Sequence, residues 1–270
     1  MTNTTTKDKL LIVDTSYYIF YKINAIKTWM GHAHPDIDIE SFTSVTECDV
    51  YMTSYNKSFF NQLEKIMKSG KFSQSDVIFA RDCSRDDIFR NLIYDEYKTN
   101  RDYTKFNAKE LFAHTYDNLL PKYPNAKVLR FPRLEADDIA AIITMNYSDK
   151  YDITIITNDN DYLQLLQYPI KLINLKGDDL SKRCKVDWRF SLMSKIILGD
   201  KSDNIPKIFP RCGECTLKKY HANKSLLDAD LNSNPNYKEQ YRINKLLVDF
   251  NYIPNIYVQN VLETLCIILK

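Results

Sequence analysis

The sequence predicts an α/β fold with a mainly parallel central sheet flanked by helices, followed by a helical C-terminal region. Three observations carry this expectation. Short apolar runs recur along roughly the first two thirds of the chain, segments with helical spacing separate them, and strand signals stop after about residue 190. With 270 residues, 44% apolar and 13% aromatic, the chain has ample material for a packed core.

The first run is L-L-I-V-D at 10–14, a short buried strand ending in a carboxylate. Apolar residues three and four apart predict a helix over 57–68, and V-I-F-A-R-D at 77–82 is the second strand, again ending in Asp. The stretch 84–106 is densely charged, sums to zero charge and carries Ile88, Leu92 and Ile93, a pattern compatible with an exposed amphipathic helix. K-V-L-R-F at 127–131 is the third strand and 135–146 the next helix. I-T-I-I-T-N-D at 153–159 and I-K-L-I-N-L at 170–175 complete the sheet. From S-L-M-S-K-I-I-L to V-L-E-T-L-C-I-I-L the chain reads as helical, which predicts an α/β core over 1–190 and a helical region over 191–270.

The start, M-T-N-T-T-T-K-D-K, is polar, and no later run is long enough to span a bilayer, so the expected location is cytoplasmic. Six cysteines without a signal peptide read as reduced thiols. Cys212 and Cys215 form the one CxxC, and structural cysteines in a loop are expected there rather than zinc ligands. Five glycines with no GxG or Walker A pattern provide no standard phosphate cradle. D-N-D-Y-L-Q at 159–164 fails as a calcium loop, because Leu163 replaces an oxygen ligand and Gln164 the glycine.

The acidic residues form the informative pattern. In a parallel sheet the carboxyl ends of the strands share one edge, where ligands of open α/β sheets bind. Asp14 and Asp82 end strands, Glu135, Asp137 and Asp138 open the helix after the third, and Asp159 and Asp161 follow the fourth. Asp200 and Asp203 lie in I-I-L-G-D-K-S-D-N-I-P at 196–206, a loop punctuated by Gly199 and Pro206. A single such Asp is ordinarily a turn former or helix cap. Together in one register they predict a cation site, and hard oxygen donors without clustered His or Cys suit Mg²⁺ or Mn²⁺. Removing these nine from the 35 acidic residues leaves 26 against 37 basic, so the balance rises from +2 to +11, a surface that favours a nucleic-acid partner once metals neutralise the cluster.

The ordered set I-V-D, A-R-D, L-E-A-D-D, N-D-N-D and G-D-K-S-D-N-I-P over residues 12–206 resembles the flap endonuclease and 5′-3′ exonuclease superfamily. K-Y-P-N-A-K-V at 122–128, K-I-I-L-G-D-K-S-D-N at 195–204 and L-V-D-F-N-Y-I-P at 247–254 are similar to its T-even bacteriophage ribonuclease H branch. The resemblance implies a first metal organised by Asp14, Asp82, Glu135 and Asp137. It implies a second organised by Asp159, Asp161, Asp200 and Asp203, with Asp138 supporting. It further implies an R-x₆-Y-K-x-x-R arch or bridge matched by Arg90, Tyr97, Lys98 and Arg101, with Arg90 and Tyr97 on the DNA-binding surface, Lys98 and Arg101 at the scissile phosphate or 5′ strand, and Lys195 a further basic position near the active site. Downstream, the family carries a helix-hairpin-helix module that grips duplex backbone. Residues 201–224 hold six Lys/Arg against two acids, and Lys207, Arg211, Lys218 and Lys219 are the expected contacts. Many relatives have a Gly-x-Gly hairpin there, where this chain reads P-R-C-G-E-C-T-L-K-K with Gly213 alone.

The expected function is therefore a monomeric, structure-specific 5′ nuclease of DNA replication. It would act on flapped or branched DNA and RNA–DNA hybrids with two Mg²⁺ per site, Mn²⁺ substituting, and a sliding clamp or single-strand-binding protein is the expected kind of partner. Two other readings are a toxin-like metal-dependent ribonuclease, which would be shorter and lack the G-D-x-S-D-N-I module, and a non-catalytic DNA-binding replication scaffold, against which the complete carboxylate set argues.

Overall fold

The computed structural model describes residues 7–73, 76–100, 108–125 and 127–269. Five strands, β1 (Asp8–Asp14), β2 (Val77–Arg81), β3 (Lys127–Arg130), β4 (Tyr151–Ile156) and β5 (Lys171–Ile173), form one parallel sheet in the order β3-β2-β1-β4-β5. Each apolar run expected to be a strand is one. The run in β1 is continuous because both sheet faces are covered: Leu10 and Ile12 point into one apolar layer, Leu11 and Val13 into the other.

One layer packs against α5 (Ala136–Tyr147) and α10 (Asn255–Ile268), with Ile139, Ile143, Val261 and Leu265 all buried. The other packs against α1 (Thr15–Ala33), α2 (Asp49–Ser58), α3 (Asn61–Gly70) and the short α4 (Lys109–His114). A third cluster lies among α6 (Trp188–Leu198), α7 (Glu214–Ala222), α8 (Lys224–Asn232) and α9 (Pro235–Val248), joined by Ile88 and Tyr97. The end of the chain therefore does not stay with its helical neighbours: α10 crosses back onto the sheet. No helix among the described residues is long and apolar enough to cross a membrane.

Two expected helices are corrected. The helix over 57–68 is broken, since α2 ends at Ser58 and α3 begins at Asn61. Fully buried Phe59 turns inward at the break, where its freed carbonyl accepts from the Tyr18 hydroxyl and that of Ser58 accepts from Lys22 Nζ at 2.7 Å. The charged stretch 84–106 is no single amphipathic helix over its described part. It forms two short 3₁₀ turns, Arg85–Asp87 and Phe89–Leu92, with Ile88, Phe89 and Arg90 buried. Residues 101–106 lie outside the described residues.

Candidate metal centre

The parallel topology places every strand's carboxyl end along one edge, and the acidic residues collect there as expected. Asp14 ends β1 and caps α1, its Oδ1 accepting from Tyr17 N at 3.1 Å while Oδ2 accepts from Thr157 Oγ1 at 3.1 Å and the Tyr162 hydroxyl at 3.3 Å. Asp82, just past β2, accepts from Ser16 Oγ at 2.5 Å and from the backbone N–H of Ala136 at 2.8 Å. Ser16, Thr157 and Tyr162 thus orient carboxylates from neighbouring strand ends, a role that no pattern in the sequence marks.

Glu135, Asp137 and Asp138 open α5, with one oxygen from each lying within 4.8 Å of the others. Their roles nonetheless differ. Both Asp138 oxygens are taken by the Arg90 guanidinium, at 2.8 and 2.7 Å, and one also accepts the Glu135 N–H at 3.0 Å. Asp138 is fully buried, so it supports the cluster from beneath rather than facing the cleft. Glu135 accepts from Arg90 Nη1 at 3.1 Å, the Tyr97 hydroxyl at 3.1 Å and Lys98 Nζ at 2.5 Å. Asp137 faces the open side.

Arg90 and Tyr97, expected on the nucleic-acid surface, are corrected by this geometry. Arg90 is 2% exposed and Tyr97 5%, and both spend their polar groups on the acidic cluster, Arg90 Nε donating as well to the Leu247 carbonyl at 2.7 Å. The acids at α5 draw them inward. Lys98 lines the cleft, whereas Arg101 lies outside the described residues.

The second acidic group is built differently. Asp159 opens a 3₁₀ turn over Asn160–Gln167, accepting from Asp161 N at 2.9 Å. Lys195 from α6 pairs with Asp161, with Asp200 at 2.8 Å and with Asp203 at 3.8 Å. A seam joins the two groups: Lys98 N donates to the Asp203 carbonyl at 2.9 Å, Asn204 Nδ2 to the Glu96 carbonyl at 2.9 Å, and Lys98 Nζ stands 3.9 Å from Asp203 Oδ2. Lys98 and Asn204 both adopt left-handed backbone, each with φ of 57°, so strain sits on this seam.

A cleft of about 480 Å³ is lined by Asp14, Asp82, Lys98, Glu135, Asp137 and Asp159. A neighbouring one of about 560 Å³ is lined by Asp159, Asp161, Lys195 and Asp200, so Asp159 borders both. Arg90, Lys98 and Lys195 form ion pairs with this constellation, yet several of its carboxyls remain raised. Burial and then Asp82 push the Asp14 carboxyl up to about 7, burial lifts Asp82, and burial with Asp138 and Glu135 holds Asp137 well above the usual carboxylate range. Burial also raises Asp161 despite Lys195. Glu135 and Asp200 go the other way, to about 2, because against burial Lys98 and Arg90 stabilise the first and Lys195 the second. Crowded oxygen donors that resist ionising for want of positive charge fit a hard divalent cation. The cysteines do not take part: Cys212 is buried in the helical cluster and Cys215 exposed.

Lys207, Arg211, Lys218 and Lys219 are exposed around the turn into α7, with Lys218 also pairing with Glu214 at 3.1 Å.

Comparison with known proteins shows what the chain resembles. A family model described as "5′-3′ exonuclease, N-terminal resolvase-like domain" matches residues 9–191. A 5′-3′ exonuclease of Buchnera aphidicola subsp. Baizongia pistaciae is 31% identical over 163 residues, 58% of this chain and 52% of that protein. Ribonuclease H of Enterobacteria phage T4 is 27% identical over 177 residues, 56% of this chain and 54% of that one, in keeping with the T-even likeness. The match thus spans about half the length of these relatives. A crystal structure of the T5 D15 protein co-crystallised with metal ions superposes with a TM-score of 0.70 at 17% identity, covering 97% of this chain and all of that one, which establishes a shared fold.

Proposed function

The chain belongs to the 5′-3′ exonuclease family, and from that premise we propose that it is a structure-specific 5′ nuclease that hydrolyses phosphodiester bonds in DNA replication. Flapped or branched DNA and RNA–DNA hybrids are the proposed substrates. The observation that carries this reading is the convergence of two groups of carboxylates, one along the sheet edge and one on the turn after β4 and the loop after α6, where burial and mutual repulsion raise several of them above their ordinary values.

Asp14, Asp82, Glu135 and Asp137 would hold one ion; Asp159, Asp161, Asp200 and Asp203 would hold the other. Mg²⁺ is the proposed occupant, with Mn²⁺ able to substitute. Such ions would supply a nucleophile at neutral pH and offset the negative charge that develops on the phosphodiester oxygens. The chain's own residues do the rest. Arg90 and Asp138 fix the start of α5 so that Glu135 and Asp137 face the cleft. Lys98, on the cleft lining beside Glu135, would meet a phosphate oxygen of the strand, and Arg101 is assigned the same strand by its position in the motif. Lys195 balances the second group and is assigned a supporting charge there.

In this proposal the core to about residue 190 carries the chemistry together with Lys195, Asp200 and Asp203 at the start of the helical region. The helical region from 191 supplies the duplex grip, with Lys207, Arg211, Lys218 and Lys219 on phosphates and the turn into α7 acting as the hairpin.

The test is a 5′-labelled flap substrate incubated with Mg²⁺, with Mn²⁺ and with chelator, products resolved by length. Cleavage near the flap junction that needs a divalent ion is expected. Undiminished cleavage in chelator would overturn the mechanism, and cleavage of single-stranded RNA alone would favour the ribonuclease reading.

A further inference from the structure

The two acidic groups share a foundation that lies far along the chain, at the end of α9. Asn244 is fully buried there. Its Nδ2 donates to the carbonyls of Ile196 at 2.7 Å and Pro206 at 2.8 Å, and its Oδ1 accepts from Gln240 Nε2 at 2.8 Å, so the amide is held in one orientation. The two carbonyls are the two ends of the loop that bears Asp200 and Asp203. Ile196 sits in the last turn of α6, where carbonyls lack intrahelical donors. Pro206 lies against Gly199, where the backbone has φ of +71° and an added Cβ would stand 2.8 Å from the Pro206 oxygen and 2.2 Å from that of Ile205. Paired backbone bonds between Asp200 and Ile205, 2.9 and 2.8 Å, close the loop from inside. One buried side chain thus staples a tight loop whose other side faces the cleft.

Gln164, in the 3₁₀ turn that carries Asp161, ties the rest of the second group to the end of α9. Gln164 Nε2 bridges the carbonyls of Asp161 and Val248, both at 3.0 Å, and its Oε1 accepts from Phe250 N at 3.0 Å.

We propose that Asn244 is a positioning residue for the second acidic group: by holding the Ile196 and Pro206 carbonyls together it sets the spacing of Asp200 and Asp203, and hence the affinity of that group for a divalent ion. This rests on the metal reading of the site given above. Asn244 touches neither the cation nor substrate; it acts through the loop. A purely structural role would lower stability and leave the two groups alike, whereas a positioning role separates them.

The probe is Mn²⁺ titrated into the full chain, free ion counted by electron paramagnetic resonance below the melting temperature of each variant. Asp200→Asn identifies which binding phase belongs to the second group. In Asn244→Ala that phase should weaken by about tenfold or more, the loss typical when a group orienting metal ligands is removed, while the other phase stays within twofold or so of the unaltered chain. Asn244→Ser keeps one donor, should fall between, and serves if the alanine variant does not fold. Unchanged affinities in a folded variant, or both phases weakened by one common factor, would overturn the proposal. If the unaltered chain bound no Mn²⁺ at all, the metal reading itself would fall and this inference with it, an outcome distinct from failure of the Asn244 variants alone.

Discussion

The two acidic groups do the same thing by different construction. The first sits on regular elements: Asp14 and Asp82 end adjacent strands, Glu135 and Asp137 start a helix, backbone N–H groups of Tyr17 and Ala136 orient two of them, and buried Arg90 braces the base. The second sits on a 3₁₀ turn and a loop, held by half-buried Lys195 and by the Asn244 amide reaching across from α9. The first is therefore fixed by the sheet, and the second by contacts made between segments remote in sequence. Stability should follow from the one and tunability from the other.

The largest expected effect breaks the first group. Arg90→Met leaves Asp138 buried without its cation, Glu135 with Lys98 alone and the Leu247 carbonyl without its donor, which should cost about 3–5 kcal/mol of stability in urea denaturation, against a clearly smaller loss for Lys195→Met, whose partners Asp161 and Asp200 are nearer solvent. Equal losses would erase the distinction. Next come the cleft-facing acids. Asp137→Asn and Asp159→Asn should each lower kcat/KM on a flap substrate by about a hundredfold or more. The chelated Asp137 variant should melt higher than the unaltered chain, because an amide is buried there without the cost of holding a proton on a carboxyl that the unfolded chain would release.

The pH dependence of metal-free stability sharpens the comparison further. Asp14 is raised from 3.8 to about 7, so the folded state binds its proton more tightly than the unfolded state, and stability falls as pH climbs from about 4 to about 7. Glu135 and Asp200 are depressed to about 2, so the stability they contribute is present above their unfolded values and is lost as pH falls toward 2. Melting in chelator should therefore peak near pH 4, and Asp14→Asn should flatten the upper limb without moving the lower. An unaltered upper limb in that variant would assign the loss to another group. The smallest effect leaves both acidic groups alone: replacing Lys218 and Lys219 should reduce the slope of log affinity for duplex against log salt by up to about two units, with Mn²⁺ binding unchanged.

The difference between the groups also governs how much of each is legible in the sequence. An apolar run ending in Asp names both a strand and the edge it reaches, so the order of residues alone places Asp14, Asp82 and the α5 acids. Arg90 is not placed this way. Its motif position suggests an exposed contact, and only the meeting of the 3₁₀ turn with α5 shows that two carboxylates claim it. Asn244 lies in an unremarkable stretch of helix, and its donors find carbonyls 48 and 38 residues away. Helical spacing over 57–68 is real, yet the inward turn of Phe59 overrides it for the sake of the core beneath α1.

The return of α10 to the sheet has a consequence for how the protein is made. Val261 and Leu265 pack on the same layer as Ile139 and Ile143, and the Leu247 carbonyl that anchors Arg90 lies just before that helix. On the ribosome, the strands and the acids they carry emerge long before the segment that covers them. One face of the sheet must wait, bare, until residues near 265 clear the exit tunnel, and the brace under Glu135 and Asp138 waits with it. A nascent chain paused at residue 230 would carry all nine acidic residues and still lack a finished site, so this geometry makes completion of the acidic site a late event of synthesis.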